Sequence, residues 1–276
     1  FDTETTGLDP MQAELVGCSL SIEPGVACYI PLAHTGDVLE GRQGALVLEE
    51  EGQNTGTPTP DQIPFDQALA ALKPLLESPS VIKIGQNIKY DTQMMARYQI
   101  TVAPIDDTML LSFVLDAGLH GHGMDFLSDW HLGFKPIPFK EVAGSGKSQT
   151  TFDKVALEQA VPYAAEDADI TLRLHQVLKP RLVAEKMVTV YETLERPLVP
   201  VLADMERAGI KVDVAVLVNL SNDFSRRMAD LELGIHKLAG HEFNIASPKQ
   251  LGEVLFEKMG FEGGKKSAKT GAWSTD

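Results

Sequence analysis

The hydrophobic period of this chain changes from two to about 3.6 and back again early in its length, and that switch restricts the fold more than any other feature. Val16, Cys18, Leu20 and Ile22 alternate with Gly17, Ser19 and Ser21, the pattern of a strand with one buried face. Glu23-Pro24-Gly25 supplies a turn, and Val26 to Pro31 reads as a returning strand. Phe65, Ala68, Leu69, Leu72, Leu75 and Leu76 then share one face of a helix. Val81 to Ile84 is a short buried strand that runs into Gly85-Gln86-Asn87, and further helices are expected at about 107–117, 124–132 and 154–178. Strands followed by an alternation of strands and helices imply an α/β domain with a mixed sheet. Between them, residues 36–62 are dense in Gly, Thr and Pro and contain Glu49-Glu50-Glu51, which reads as an exposed loop.

The remainder of the chain has a different character. Leu217, Leu220, Phe224, Met228, Leu231, Ile235 and Leu238 step by three or four before Gly240, a long helix with a coiled-coil-like stripe. Ser247-Pro248-Lys249-Gln250 forms a capping box with Pro at the first helical position, so a helix should run from Pro248 to about Met259. Charge divides the same way. Residues 1–178 hold 10 basic and 25 acidic residues, whereas residues 179–276 hold 14 of each. The whole net charge of −15 thus lies in the first part, and two units are expected, at 1–178 and 179–276.

An acidic first unit repels nucleic acid unless metal ions or local lysines intervene, which argues against a simple DNA-binding module. No apolar run approaches the roughly 18 residues that cross a bilayer. The two cysteines, Cys18 and Cys28, form no Cys-x-x-Cys and suit a reducing compartment. The chain opens at Phe1-Asp2-Thr3-Glu4 without an initiator Met, a basic region or an apolar stretch, and is expected to be a piece of a longer one.

Three acidic patterns stand out. Asp2 and Glu4 are two apart in the expected first strand, so both project from one face. Asn87 and Asp91 follow directly after a strand, and Tyr163 and Asp167 are one helical turn apart. Each has a plain alternative. Asp2 and Glu4 fit a solvated strand end, Asn87 fits a helix cap, and Tyr163 beside Asp167 fits a helix surface.

Taken together, DxE, NxxxD and YxxxD resemble the three motifs of the DEDD exonucleases, tyrosine subtype. The wording is similar to bacterial DNA polymerase I of family A. The resemblance is carried by Phe1-Asp2-Thr3-Glu4-Thr5, Gly85-Gln86-Asn87-Ile88-Lys89-Tyr90-Asp91 and Tyr163-Ala164-Ala165-Glu166-Asp167-Ala168-Asp169. It extends to Asp107-Thr108-Met109 and Glu195-Arg196-Pro197-Leu198-Val199-Pro200-Val201-Leu202.

That resemblance implies a ribonuclease-H-like fold over 1–178, followed by the start of a polymerase domain with part of its thumb. It also implies 3′→5′ exonucleolysis of DNA that proofreads and releases nucleoside 5′-monophosphates. Two divalent ions, Mg²⁺ or Mn²⁺, about 4 Å apart, suit such hydrolysis, and carboxylate oxygens are their natural ligands. By analogy Asp2 bridges the ions, Glu4 and Asp167 complete the site that activates water, and Asp91 holds the second ion mainly through water. Tyr163 would orient the attacking water; with an ordinary pKa of about 10 it is a poor base, so proton loss is assigned to metal-bound water. Leu8 and Phe139 would splay a single-stranded 3′ end, with ordinary packing as their plain alternative, and Gln86 and Asn87 would contact sugar or phosphate. The implied setting is a cytoplasmic, nucleoid-associated bacterial monomer acting on a single-stranded 3′ end or frayed primer terminus, with no membrane partner. The alternatives are a stand-alone RNA exonuclease of the ribonuclease D type and a catalytically silent scaffold.

Other patterns are weaker. Gly144-Ser145-Gly146-Lys147-Ser148 lacks the spacing of a phosphate-binding loop, position 141 being Glu, and reads as a mobile loop with Lys147 as a candidate substrate contact. His120 and His122 have no third ligand nearby in sequence and read as structural. Arg226 and Arg227 read as a solvated helix face. Nothing matches the palm carboxylates or the fingers helix of the polymerase family, so synthesis by this stretch alone is not expected.

Overall fold

The computed structural model describes residues 1–35, 61–267 and 271–275. Most of the expected 36–62 loop therefore lies outside the described residues. The chain forms two compact units, Phe1–Gly209 and Ile210–Asp276.

In the first unit, β1 (Asp2–Thr5), β2 (Leu15–Glu23) and β3 (Val26–Pro31) form an antiparallel sheet in that order. Its register places Asp2 opposite Ser19 and Glu4 opposite Gly17. Gly17 is required there, because a Cβ would run into the Tyr29 ring from β3. The second sheet is a parallel pair, β4 (Lys83–Gly85) with β5 (Ile105–Asp107), so the chain supplies both kinds of pairing. The Phe1 nitrogen donates to Ile84 O at 2.8 Å, linking the start of β1 to β4. The next bond of that edge is diverted: Thr3 N–H donates instead to the Asp91 carboxylate at 2.9 Å.

Helices α1 (Phe65–Leu76) and α2 (Lys89–Arg97) pack on one side with the sheet. Their core includes Leu15, Leu72, Leu76, Ile88, Met94 and Met95, all buried. A second core joins α3 (Thr108–Asp116), α4 (Met124–Leu132) and the distal half of α6 (Leu157–Ala184) through Leu111, Leu127, Ile170, Leu174 and Leu178. The proximal half of α6 presents Ala160 and Ala164, which pack in a third core with Val16 and Tyr29 of the sheet. Such small side chains let a helix backbone approach a sheet closely. The short helix α5 (Phe139–Ala143) precedes α6. The expected division at 178/179 falls within α6, which continues to Ala184 before α7 (Val188–Val190), a wide helical turn at Tyr191–Glu195 and α8 (Arg196–Ala208). Cys18 is buried and Cys28 exposed, and both are free thiols.

In the second unit, α9 (Val214–Ala239) starts with Asp213 accepting from Val216 N–H at 3.2 Å and ends at Gly240 in the left-handed region. Arg226 and Arg227 both lie near Asp223 on the same helix. Ser247 caps α10 (Pro248–Gly252), but the reciprocal half of the capping box is absent: Gln250 Oε1 accepts from Asn244 N–H instead. Past Gly252 the helix widens into π-type turns at Glu253–Lys258. There Trp273 packs against Phe256, and a Cβ on Gly252 would lie 2.5 Å from Trp273 Cβ.

Candidate active site

A cleft of about 750 Å³ opens where β1, the β4–α2 turn, the α5 region and α6 meet. The nine residues that the family resemblance assigned to the site all line it: Asp2, Glu4, Leu8, Gln86, Asn87, Asp91, Phe139, Tyr163 and Asp167. Each arrives by a local rule. Alternation along β1 turns Asp2 and Glu4 to the same side, while Tyr163 and Asp167 sit one turn apart on α6.

The β4–α2 turn is built by a carboxylate further along the chain. Asn87 adopts φ +58°, a left-handed conformation that Asn tolerates better than most residues, and contributes no side-chain cap to α2. Asp107 holds the turn. Its carboxylate accepts from Asn87 N–H (3.1 Å) and Ile88 N–H (2.9 Å), and also from Met109 and Leu110 N–H at the start of α3. One side chain thus fixes two helix N-termini. Gly85 permits the close return, since a Cβ there would lie 2.7 Å from Ile88.

Asp2, Glu4 and Asp167 each place a carboxylate oxygen within 4.8 Å of the others. Asp91 stands apart, with its Oδ1 accepting from both Thr3 N–H (2.9 Å) and Thr3 Oγ1–H (2.6 Å). Among the described residues, none of the four forms an ion pair. Glu4 Oε1 is buried without any hydrogen-bond partner. Burial pushes Asp2 up to about 6. Burial, followed by the neighbouring carboxylates, drives Glu4, Asp91 and Asp167 well above the usual carboxylate range. Three converging carboxylates, one of them with an orphaned buried oxygen, are costly unless a cation joins them, and hard oxygen donors of this kind suit a divalent ion of the Mg²⁺ or Mn²⁺ class.

Burial and the charges of Asp167, Glu4 and Asp2 also raise the Tyr163 phenol far above its ordinary value, so it remains a neutral hydroxyl. Its ring is held edge-on to Phe139 (6.0 Å between centroids) and tilted against Phe152 (5.8 Å). Leu8 is 95% exposed and Phe139 40% exposed at the cleft, so Leu8 contributes nothing to the core. Gln86 Nε2 donates to His122 O at 2.8 Å, and Gln86 Oε1 accepts from Thr108 Oγ1 at 2.5 Å. Lys147 is not among the lining residues, although Gly146 is.

Sequence reasoning missed Thr3, Thr5, Tyr90 and Phe152. The Thr5 and Tyr90 hydroxyls lie 2.6 Å apart, and Tyr90 donates to Gly7 O at 2.5 Å, which pins the loop that carries Leu8. Thr3 and Thr5 alternate with the acids on β1, and Tyr90 precedes Asp91. For these three, adjacency to the acidic motifs was the available signal; Phe152 lies next to none of them.

Comparison with known proteins places these features in context. Residues 1–183 match the family described as 3′–5′ exonuclease, and residues 214–276 match DNA polymerase family A. The chain is 53% identical to DNA polymerase I of Rhizobium leguminosarum over the whole of its length, and 44% identical to that of Pseudomonas aeruginosa. It spans 27% and 28% of those two relatives. Among solved structures, the polymerase domain of Pol1 from M. smegmatis, in complex with DNA primer-template and dNTP, superposes with a TM-score of 0.67 at 23% identity. That match covers 96% of this chain and 38% of the other. Brucella melitensis NrnC bound to pGG gives 0.54 at 20% identity, covering 77% and 86%. These structural likenesses speak to the fold.

Proposed function

The chain belongs to the DNA polymerase I family and carries its 3′–5′ exonuclease domain, and we propose that Asp2, Glu4, Asp91 and Asp167 hold two divalent ions that support removal of 3′-terminal nucleotides from DNA. The observation that carries this reading is the convergence of the Asp2, Glu4 and Asp167 carboxylates in an open cleft, with one oxygen of Glu4 left without a hydrogen-bond partner. Asp91, set apart and held by Thr3, suits the outlying ligand position. When bound, such ions make a nucleophile available near neutral pH and stabilise the charge of the leaving 3′ oxygen.

The protein's own groups do the rest. Tyr163, kept protonated, donates a hydrogen bond and orients the attacking water; it does not take a proton. Phe139 offers a half-exposed ring on which a terminal base stacks with little regard to sequence, and Leu8 wedges beside it. Gln86 and Asn87 meet the sugar and phosphate of the terminal nucleotide. Asp107 acts at a distance by fixing the turn that carries Asn87.

The substrate is a single-stranded 3′ end or frayed primer terminus and the product a nucleoside 5′-monophosphate, within a bacterial, cytoplasmic DNA polymerase I acting as a monomer. The acidic first unit makes its grip on DNA dependent on metal and on the rest of the polymerase. Incubation of 5′-labelled single-stranded DNA with Mg²⁺ tests the reading. A ladder shortening from the 3′ end, absent with EDTA or Asp167→Asn, is the expected result. Degradation that persists in EDTA overturns it. Faster removal from an RNA strand of the same sequence would favour the ribonuclease D alternative.

A further inference from the structure

The connection between α3 and α4 gathers a second group of ligand-type side chains on the exonuclease unit. Asp116 ends α3, His120 lies in the connection and His131 is near the end of α4. One ligand atom from each lies within 4.8 Å of the other two. The side chains of Asp116 and His120 are only 12% and 11% exposed.

The arrangement around His120 is specific. Its Nδ1 lies 2.8 Å from Gly121 O. A carbonyl only accepts, so Nδ1 donates and Nε2 is the nitrogen left to ligate. That Nε2 stands 3.7 Å from Asp116 Oδ2, too far for a hydrogen bond and close to the separation of two ligands on one small ion. His131 is the third member of the group, and its Nε2 is buried with no hydrogen-bond partner. Two imidazoles and a carboxylate thus converge, and one of the imidazole nitrogens has no partner.

The supporting shell is already in place. Phe126 lies against the His120 ring at 4.9 Å between centroids, and Phe126 and Trp130 stack on each other. Arg181 grips both Asp116 oxygens at 2.9 Å and fixes the carboxylate plane. Its charge does not exclude a cation, because Glu185 accepts from Arg181 Nε at 2.8 Å and leaves Asp116 and Glu185 outnumbering the guanidinium. Outer partners of this kind orient metal ligands.

We propose that Asp116, His120 and His131 form a zinc site, with a water completing the fourth position, that clamps α4 to the end of α3. Two imidazoles and one carboxylate suit Zn²⁺ better than Mg²⁺ or Mn²⁺, so the site differs in chemistry from the all-carboxylate cleft. It also bears on that cleft, since the connection it would fix carries His122, whose carbonyl receives Gln86. The proposal does not rest on the exonuclease reading.

The test uses the full chain with Asp167→Asn, which quiets the carboxylate site, titrated with Zn²⁺ by calorimetry and with Co²⁺ in visible absorption. One equivalent of Zn²⁺ and the intense visible bands of four-coordinate Co²⁺ are expected. Adding His120→Gln or His131→Gln should weaken binding at least tenfold while circular dichroism stays unchanged. No binding, or binding that both changes leave intact, overturns the proposal. If either variant fails to fold, anomalous scattering at the zinc edge from crystals of the wild-type chain decides: a peak between the three side chains supports the site, and its absence there overturns it.

Discussion

Two groups of buried carboxylates in the first unit meet opposite fates. Asp106 on β5 is 1% exposed, yet it has a partner on every side. His175 Nε2 lies 2.8 Å from Oδ2, and Lys179, Arg196 and the Tyr191 hydroxyl lie 3.1 to 3.2 Å from Oδ1. Burial alone would raise its pKa, but the hydrogen bond from His175 and the charge of Lys179 pull it down to about 2. Asp2, Glu4 and Asp167 are as well hidden from cationic side chains as Asp106 is surrounded by them, and their pKa values go the other way. Burial alone does not decide the charge state of a carboxylate; the neighbours supplied with it can overturn what burial does. A carboxylate that holds the fold together comes with its counter-charges built in. One that serves chemistry is left for a counter-charge to arrive from outside.

Opposite substitution effects are the strongest way to break this contrast. Asp167→Asn should lower exonuclease turnover by about a thousandfold or more, roughly 4 kcal/mol of barrier, while the metal-free melting temperature holds or rises. Asp106→Ala should leave the cleft's chemistry nearly intact and cost about 3 kcal/mol of stability, because Lys179, Arg196 and His175 lose their shared partner. Denaturant unfolding in EDTA beside the nuclease assay measures both. Equal destabilisation by the two changes would mean that the carboxylates do not differ in kind.

Titration sharpens the contrast further. The folded state raises Asp2 from 3.8 to about 6, so its contribution to stability is complete below about pH 4 and is lost as pH rises through 6. Asp106 is depressed from 3.8 to about 2; its contribution is present above pH 4 and is lost as pH falls through 2. By linkage these amount to about 3 and about 2 kcal/mol respectively. Unfolding in EDTA should therefore show Asp2→Asn gaining on the wild type between pH 4 and 7. Asp106→Asn should converge on the wild type between pH 4 and 2. A pH-independent offset for Asp2→Asn would break the comparison.

Strand alternation and helical spacing paired the acids of the cleft, but the family resemblance singled them out and joined Asp91 to them. Asp2 and Glu4 share a face at any two-residue step along β1, and Tyr163 and Asp167 at any four-residue step along α6. The Asp106 cluster was not legible, since its partners lie 69 to 90 residues away and no local period connects them. Asp107 appeared in the sequence only as part of a family resemblance; that one carboxylate holds four backbone N–H groups is a property of how β5 lies beside β4. The expected helix from Pro248 to about Met259 was right in its start and incomplete in its form. The cap is local, whereas the π-type turns lie in the part packed around Trp273, which is distant in sequence. His120 read as structural because its companions were sought among adjacent residues; Asp116 lies one turn before it, and His131 comes near only because α4 folds back.

Divalent ions supply the next test. At 100 times the dissociation constant an ion that binds only the folded state adds about 2.7 kcal/mol. Mg²⁺ should raise the melting temperature of the wild type and of Asp106→Ala alike, and should do little for Glu4→Gln, whose substituted group no longer offers a full carboxylate. Differential scanning calorimetry at fixed pH measures this. Mg²⁺ that stabilises Glu4→Gln as much as the wild type would mean that the acids of the cleft are not what it binds.

The smallest effect separates orientation from proton transfer. Tyr163→Phe keeps the ring between Phe139 and Phe152 and removes only the hydroxyl, so turnover should fall about tenfold, the worth of one positioning hydrogen bond at 1.4 kcal/mol. A tyrosine raised so far by burial and by three carboxylates cannot deprotonate near neutrality. The alkaline limb of the pH–rate profile should therefore be the same with and without it. If that limb moves or vanishes in Tyr163→Phe, the phenol is taking the proton. The cleft would then supply its own base, and only its counter-charge would have to come from outside.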